Sequence, residues 1–188
     1  PYVDLALEGD APSLLRCSHW RERGIEFFSL SKGWCLGGFR LAFAVGAAPL
    51  IKALRQLKGV VDFNQCQALQ RGAVVALDQH ADWPSRLLPV YRQRRDRMRD
   101  GLADLGWIVP KPSMALYLWM PTPEWARSRG WSDEQLAAEL LEHCGVALTP
   151  GSGFGDAGRG WLRLALVRPV EDLENAVTRL RPWWEKHR

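Results

Sequence analysis

The order of apolar and polar positions predicts strands early in the chain and helices soon after. Residues 25 to 31 (IEFFSLS) and 37 to 46 (GGFRLAFAVG) are rich in Phe, Ile and Val and bounded by glycines, which predicts two strands with Lys32 in their connection. From Ala48 to about Gly59, and again from Gln65 to about His80, apolar residues recur at helical spacing. A longer helix is predicted from about Pro84 to Leu105. Its stripe of Leu87, Leu88, Tyr91, Met98, Leu102 and Leu105 is broken at Pro89.

After Gly106 the pattern shortens. Strands are predicted at Trp107 to Val109 and Met114 to Met120, then a helix from about Ser132 to His143 whose start is fixed by a capping box of Ser132 and Gln135. A short strand (Val146 to Thr149), a Gly-rich loop (Pro150 to Gly160), a strand (Trp161 to Val167) and a closing helix (Val170 to about Lys186) follow. Strands alternating with helices imply an α/β layered fold. There is neither an internal repeat nor a low-complexity linker, so the helix around residues 84 to 105 is the expected join between two lobes.

Composition narrows the class. The 188 residues, 47% of them hydrophobic, suffice for one compact domain or two small ones. The longest uncharged apolar run, Leu41 to Ile51, has 11 residues, short of the roughly 20 a membrane-spanning helix needs. The first residues, PYVDLALEGD, lack the basic end and apolar centre of a signal peptide and do not begin with Met, so a fragment of a longer chain is expected. Cys17, Cys35, Cys66 and Cys144 form no CxxC and sit at no metal-ligand spacing with His, as expected of free thiols in the cytoplasm. A net charge of +4 permits polyanion binding without requiring it.

Three strings match known patterns without their context. The run RLLPVYRQRRDRMR, Arg86 to Arg99, is interrupted by Asp96 and keeps helical register, so it reads as the wet face of an amphipathic helix and no nucleic-acid partner is expected. Gly153-Phe-Gly155-Asp-Ala-Gly158 spells the dinucleotide fingerprint but leads into a strand where that motif needs a helix. Ser29-Leu-Ser-Lys32 spells SxxK, yet Ser132-Asp-Glu is no SDN and KTG is absent.

Two cations remain in apolar surroundings. Lys32 at a strand end is of a type that is commonly solvated, but Arg40, read as mid-strand between Phe39 and Leu41, needs an anion to offset its desolvation. A phosphate matches the forked donors of a guanidinium, and the Ser29 hydroxyl could donate to the same group. A lysine, a phosphate site and a sheet edge together suggest pyridoxal phosphate. Arg163, alternating onto one strand face with Trp161 and Ala165, fits either a salt bridge to an interior carboxylate or a fork for a substrate carboxylate.

With these residues in place, Ser29-Leu-Ser-Lys32 followed eight positions later by Arg40 resembles the cofactor attachment site of class I/II pyridoxal-phosphate-dependent aminotransferases. Pro150-Gly-Ser-Gly-Phe-Gly with Trp161-Leu-Arg163-Leu-Ala is similar to the family's C-terminal segment, and Pro112-Ser-Met-Ala-Leu-Tyr-Leu-Trp to its small-domain strand. The resemblance covers essentially the whole chain and leans toward aspartate, aromatic or diaminopimelate-type enzymes. It implies a fold-type-I α/β transferase, with residues 1–85 closing the large pyridoxal-phosphate-binding domain and 86–188 forming the small C-terminal domain.

On the same resemblance Lys32 would form the internal aldimine and relay the substrate proton. Ser29 and Arg40 would hold the cofactor phosphate, Tyr2 its phenolic oxygen, and Arg163 the substrate carboxylate. The implied activity is transamination between an amino acid and a 2-oxo acid, the implied assembly a cytoplasmic homodimer. A carbon–sulfur lyase of the same fold, or the aminotransferase-like effector domain of a transcription regulator, would use the same residues. The aspartate that pairs with the pyridinium nitrogen would precede Pro1, as would an asparagine, a ring-stacking aromatic and a second phosphate-binding loop. The chain is therefore expected to be the C-terminal portion of such an enzyme and to turn over little or nothing by itself. Cys35 and Ala42 depart from the residues usual at their positions.

Overall fold

The computed structural model describes residues 1–188, which form two compact units. One comprises Pro1–Pro89 with Ser113–Ala115, the other Val90–Pro112 with Leu116–Arg188. No helix is long and apolar enough to cross a membrane.

The first unit is built on an antiparallel hairpin, β1 (Ile25–Ser29) and β2 (Ala42–Gly46), after a one-turn helix α1 (Trp20–Arg23). Phe28 stacks on Phe43 across the pair at 5.1 Å, and Ser29 stands opposite Ala42. Helices α2 (Ala48–Val61) and α3 (Gln67–Gln79) follow. A small core of Leu30, Leu41 and Ala73 is closed by Trp34, Leu36, Phe39 and Leu69. These contacts draw residues 30–41 into a compact loop between the strands.

The strand predicted over 37–46 is therefore only half present. Gly37–Phe39 forms a 3-10 turn in which the Phe39 N–H donates to Leu36 O at 3.0 Å, and extended pairing begins at Ala42. Arg40 is not mid-strand: it takes a left-handed conformation, φ 54°, and is exposed. Phe39 packs so closely on Gly72 that a Cβ there would lie 3.0 Å from its ring.

Helix α4 (Trp83–Asp104) passes without a break through Pro89, where the first unit gives way to the second. A proline inside a helix forfeits one backbone hydrogen bond, which 22 residues of helix absorb here. Its arginines are not all on a wet face. Arg95 is 2% exposed and bonds Asp96 and Pro112 O, Arg94 donates to Leu166 O, and Arg99 donates to Val109 O. These guanidiniums fasten neighbouring backbone to the helix.

The second unit carries a three-stranded antiparallel sheet in the order β3 (Tyr117–Pro121), β5 (Trp161–Ala165), β4 (Thr149–Pro150). Helices α5 (Glu124–Ser128), α6 (Asp133–Cys144) and α7 (Val170–His187) complete it. Leu118, Met120, Leu162 and Leu164 are buried on one sheet face, which leaves Trp119, Trp161 and Arg163 on the other. The Ser132 hydroxyl accepts from the Gln135 N–H at 3.0 Å and starts α6, as the capping pattern predicts.

No strand forms at Trp107 to Val109. Gly106, at φ 81°, ends α4, and the Trp107 N–H turns back to Leu102 O at 2.9 Å, so that donor is unavailable to a ladder. The Trp107 ring is buried instead against Trp184 at 4.7 Å, with its indole N–H on Pro121 O. The strand predicted over Val146 to Thr149 is confined to Thr149–Pro150. The short helices α1 and α5 carry no periodicity long enough to have been predicted.

Candidate active site

In the first unit Ser29, Lys32 and Arg40 lie along the connection at one end of the hairpin. Ser29 is the last residue of β1, and its Oγ accepts from the Ser31 N–H at 3.2 Å, which begins the turn into Lys32. Lys32 is half-buried, and its carbonyl accepts from the Cys35 N–H at 3.3 Å. The Arg40 guanidinium donates to Gly37 O at 3.0 Å, so its partner is a carbonyl and not a carboxylate. Because Ser29 pairs with Ala42, both Ser29 and Arg40 stand at the loop end of the same ladder.

Tyr2 precedes a 3-10 turn, Val3–Leu5, and its carbonyl accepts from the Leu5 N–H. That turn delivers Asp4 against the lysine loop. A Cβ on Gly33 would lie 2.4 Å from Asp4 Cβ, and the Asp4 carboxylate is hydrogen-bonded by the Trp34 side chain. Burial pushes the Asp4 carboxyl above the ordinary carboxylate range, and the Trp34 bond offsets only part of the rise. The contact brackets Lys32: the segment bearing Tyr2 and the turn bearing the lysine touch through Asp4 and Gly33.

Arg163 lies in the second unit, at the centre of β5 opposite Trp119. Its guanidinium carbon sits 4.6 Å from the centre of the Tyr117 ring and 4.5 Å from that of Phe154. Trp119 meets Phe154 edge-on at 5.7 Å and stacks on Trp161 at 6.0 Å. The Nε of Arg163 is buried without a hydrogen-bond partner. Of the two readings left open by the sequence, the interior salt bridge is absent: no carboxylate pairs with this guanidinium, and aromatic rings are its neighbours.

Phe154 comes from the Gly-rich loop, which the buried carboxylate of Asp133 fastens. Asp133 Oδ2 accepts from the Ser152 N–H at 2.8 Å and Oδ1 from the Gly160 N–H at 3.1 Å. Burial pushes this carboxyl up, but the donors of Ser152 and Gly160 outweigh it and hold the group below the ordinary range. Sequence reasoning missed Asp4, Gly33, Tyr117, Phe154 and Asp133. The only local signals were their positions beside the named motifs, since every one acts through a contact distant in sequence.

A cation-bearing turn at a hairpin end thus lies in one unit and a strand arginine packed against aromatic rings in the other. The chain belongs to the class I and II aminotransferase family, which it matches over residues 3–180. The LL-diaminopimelate aminotransferase of Dehalococcoides mccartyi is 41% identical over 181 residues, covering 96% of this chain and 45% of that protein.

Solved structures agree. A probable N-succinyldiaminopimelate aminotransferase from Thermus thermophilus superposes with a TM-score of 0.85 at 41% identity, over 97% of this chain and 48% of that one. An aminotransferase from Staphylococcus aureus gives a TM-score of 0.90 at 29% identity, over 100% of this chain and 48% of that one. The fold is the fold-type-I transferase fold, and the chain spans about half the length of the relatives it matches.

Proposed function

We propose that these residues form the C-terminal part of a pyridoxal-5′-phosphate-dependent aminotransferase that moves an amino group between an amino acid and a 2-oxo acid. Residues 1–85 would close the large cofactor-binding domain and 86–188 form the small domain. The observation that carries this reading is Arg163. A buried guanidinium N–H with no acceptor, on a fork packed against two rings, costs free energy unless a planar anion completes it, and an α-carboxylate has that shape.

The donor set of the first unit fits the cofactor. Ser29 Oγ is an acceptor within the protein, so its hydrogen remains to donate, and Arg40 keeps its charge uncancelled by any carboxylate. Both are assigned to the phosphate, Tyr2 to the phenolic oxygen, and Lys32 to the aldehyde carbon. When bound, the cofactor supplies the electron sink that lets the substrate Cα lose a proton. Lys32 Nζ would take that proton and return it across the intervening amino nitrogen, a 1,3 transfer that requires the amine to be held over the reacting atoms. The Asp4–Gly33 contact fixes the turn from which it reaches.

Side-chain preference is proposed to be of the diaminopimelate type, after the relatives' names, and the assembly a cytoplasmic homodimer, after the family resemblance. The test uses the full chain carrying these residues, supplied with cofactor, LL-diaminopimelate and a panel of 2-oxo acids. Formation of the new amino acid supports the reading. Release of pyruvate with thiol or ammonia points to a lyase, and effector-dependent DNA binding without either product points to a regulator.

A further inference from the structure

The carboxylate of Asp133 lies at the start of α6, distant in sequence from Arg163, yet it is 4% exposed and spends both oxygens on one loop. Its two donors, the N–H groups of Ser152 and Gly160, stand at opposite ends of that loop. A second carboxylate supports the first: Glu134 Oε1 accepts the Ser152 hydroxyl at 3.0 Å. Between these ends the loop closes on itself. A Cβ at Gly151 would lie 2.1 Å from Gly158 O, and one at Gly158 would lie 2.0 Å from Gly151 O, so only two glycines can meet there. Phe154 is carried on the loop and is 52% exposed; its ring meets the edge of Trp119 and covers the guanidinium of Arg163.

We propose that Asp133 is a positioning residue for the substrate-carboxylate subsite: by clasping both ends of the 151–160 loop it sets Phe154 over Arg163, and so fixes the orientation and dryness of the fork. This rests on the reading of Arg163 as that fork. The Tyr117 and Phe154 rings both lie against the guanidinium carbon, and a carboxylate meets the N–H groups in the guanidinium's own plane, where it can take two at once. With one ring withdrawn, water reaches the exposed face and the fork turns. Asparagine at 133 keeps the volume, but its amide nitrogen would face one of the two N–H donors, so the clasp opens at one end.

The test is steady-state kinetics of the full-length holoenzyme with Asp133→Asn, Phe154→Leu, the double variant and Arg163→Lys. For Asp133→Asn, KM for the amino acid and for the 2-oxo acid should rise together by about tenfold, while kcat changes much less and the visible absorption of bound cofactor is unchanged. Phe154→Leu should show the same pattern. In its background, Asp133→Asn should add little, because the clasp acts through Phe154. A merely structural Asp133 would instead give independent effects that multiply.

The proposal is overturned if Asp133→Asn leaves KM unchanged, or if the two variants multiply. Should Asp133→Asn fail to fold, an unaltered KM in Phe154→Leu overturns it equally. Arg163→Lys separates the two layers. If it raises KM while the other variants do not, only the role of Asp133 fails, and if it leaves KM unchanged, the assignment of Arg163 fails with it.

Discussion

The guanidinium carbon of Arg163 lies 4.5 Å from the centre of the Phe154 ring, and the Tyr117 ring lies 4.6 Å from the same carbon. These two ring contacts stand where a strand arginine commonly needs an interior carboxylate. The charge stays available to a ligand, and each cation–ring contact contributes about 0.5–1 kcal/mol or more when desolvated.

Replacing Arg163 by lysine keeps the charge and removes the planar fork. A charge-assisted hydrogen bond contributes about 1.5–3 kcal/mol, so KM for both substrates should rise by about 10- to 100-fold. Initial rates at varied amino acid and 2-oxo acid measure this. An unchanged KM would remove the carboxylate from this site.

Gly33→Ala would place a methyl group 2.4 Å from Asp4 Cβ, a distance that forces either the lysine turn or the Tyr2 segment to move. Overpacking of this kind costs about 1–3 kcal/mol. Thermal melting should show the lower stability, and visible absorption a weaker hold on the cofactor. Wild-type values for both would mean that the contact yields without consequence for Lys32.

Asp4 gives a pH dependence with a definite sign. Its folded-state carboxyl is raised by burial, so the native state holds the proton more tightly than the unfolded chain does. Its contribution to stability is full below the unfolded value, about 3.9, and is lost as pH rises through the higher folded value. Asp4→Asn keeps an acceptor for Trp34 and removes the charge. It should melt higher than the wild type at neutral pH, with the gap closing toward about pH 4. A gap constant across that range would rule the account out.

Ala115 sits at φ 70°, in the left-handed region, just before β3. An L-residue there costs about 1–2 kcal/mol, against about 0.5–1 kcal/mol of extra chain entropy for glycine in the unfolded state. Ala115→Gly should stabilise the protein by up to about 1 kcal/mol, read as a higher urea midpoint at constant slope. A lower midpoint would show that the alanine methyl has packing worth more than the strain.

What the sequence made legible was whatever is decided locally. Period-2 alternation set Arg163 on the face opposite buried Leu162 and Leu164, and the Ser132 cap placed the start of α6. The stretch before Arg40 misled because Gly37, Gly38 and Phe39 have strand-like neighbours, while a 3-10 turn packed on Gly72 decides their conformation. Asp133 was hidden for another reason: the groups it clasps lie 19 and 27 residues away, and no local pattern records such a contact. Arg95 was misread as solvated because helical periodicity alone cannot show that Pro112 and Asp96 enclose it.

The central assignment is Lys32, on the turn after β1, as the residue that carries the cofactor. Borohydride treatment of the cofactor-loaded full chain, followed by proteolysis and mass spectrometry, tests it most directly. The added mass should fall on the peptide containing Lys32 and vanish in Lys32→Ala. Cofactor fixed to another lysine, or retained in that variant, would contradict the assignment.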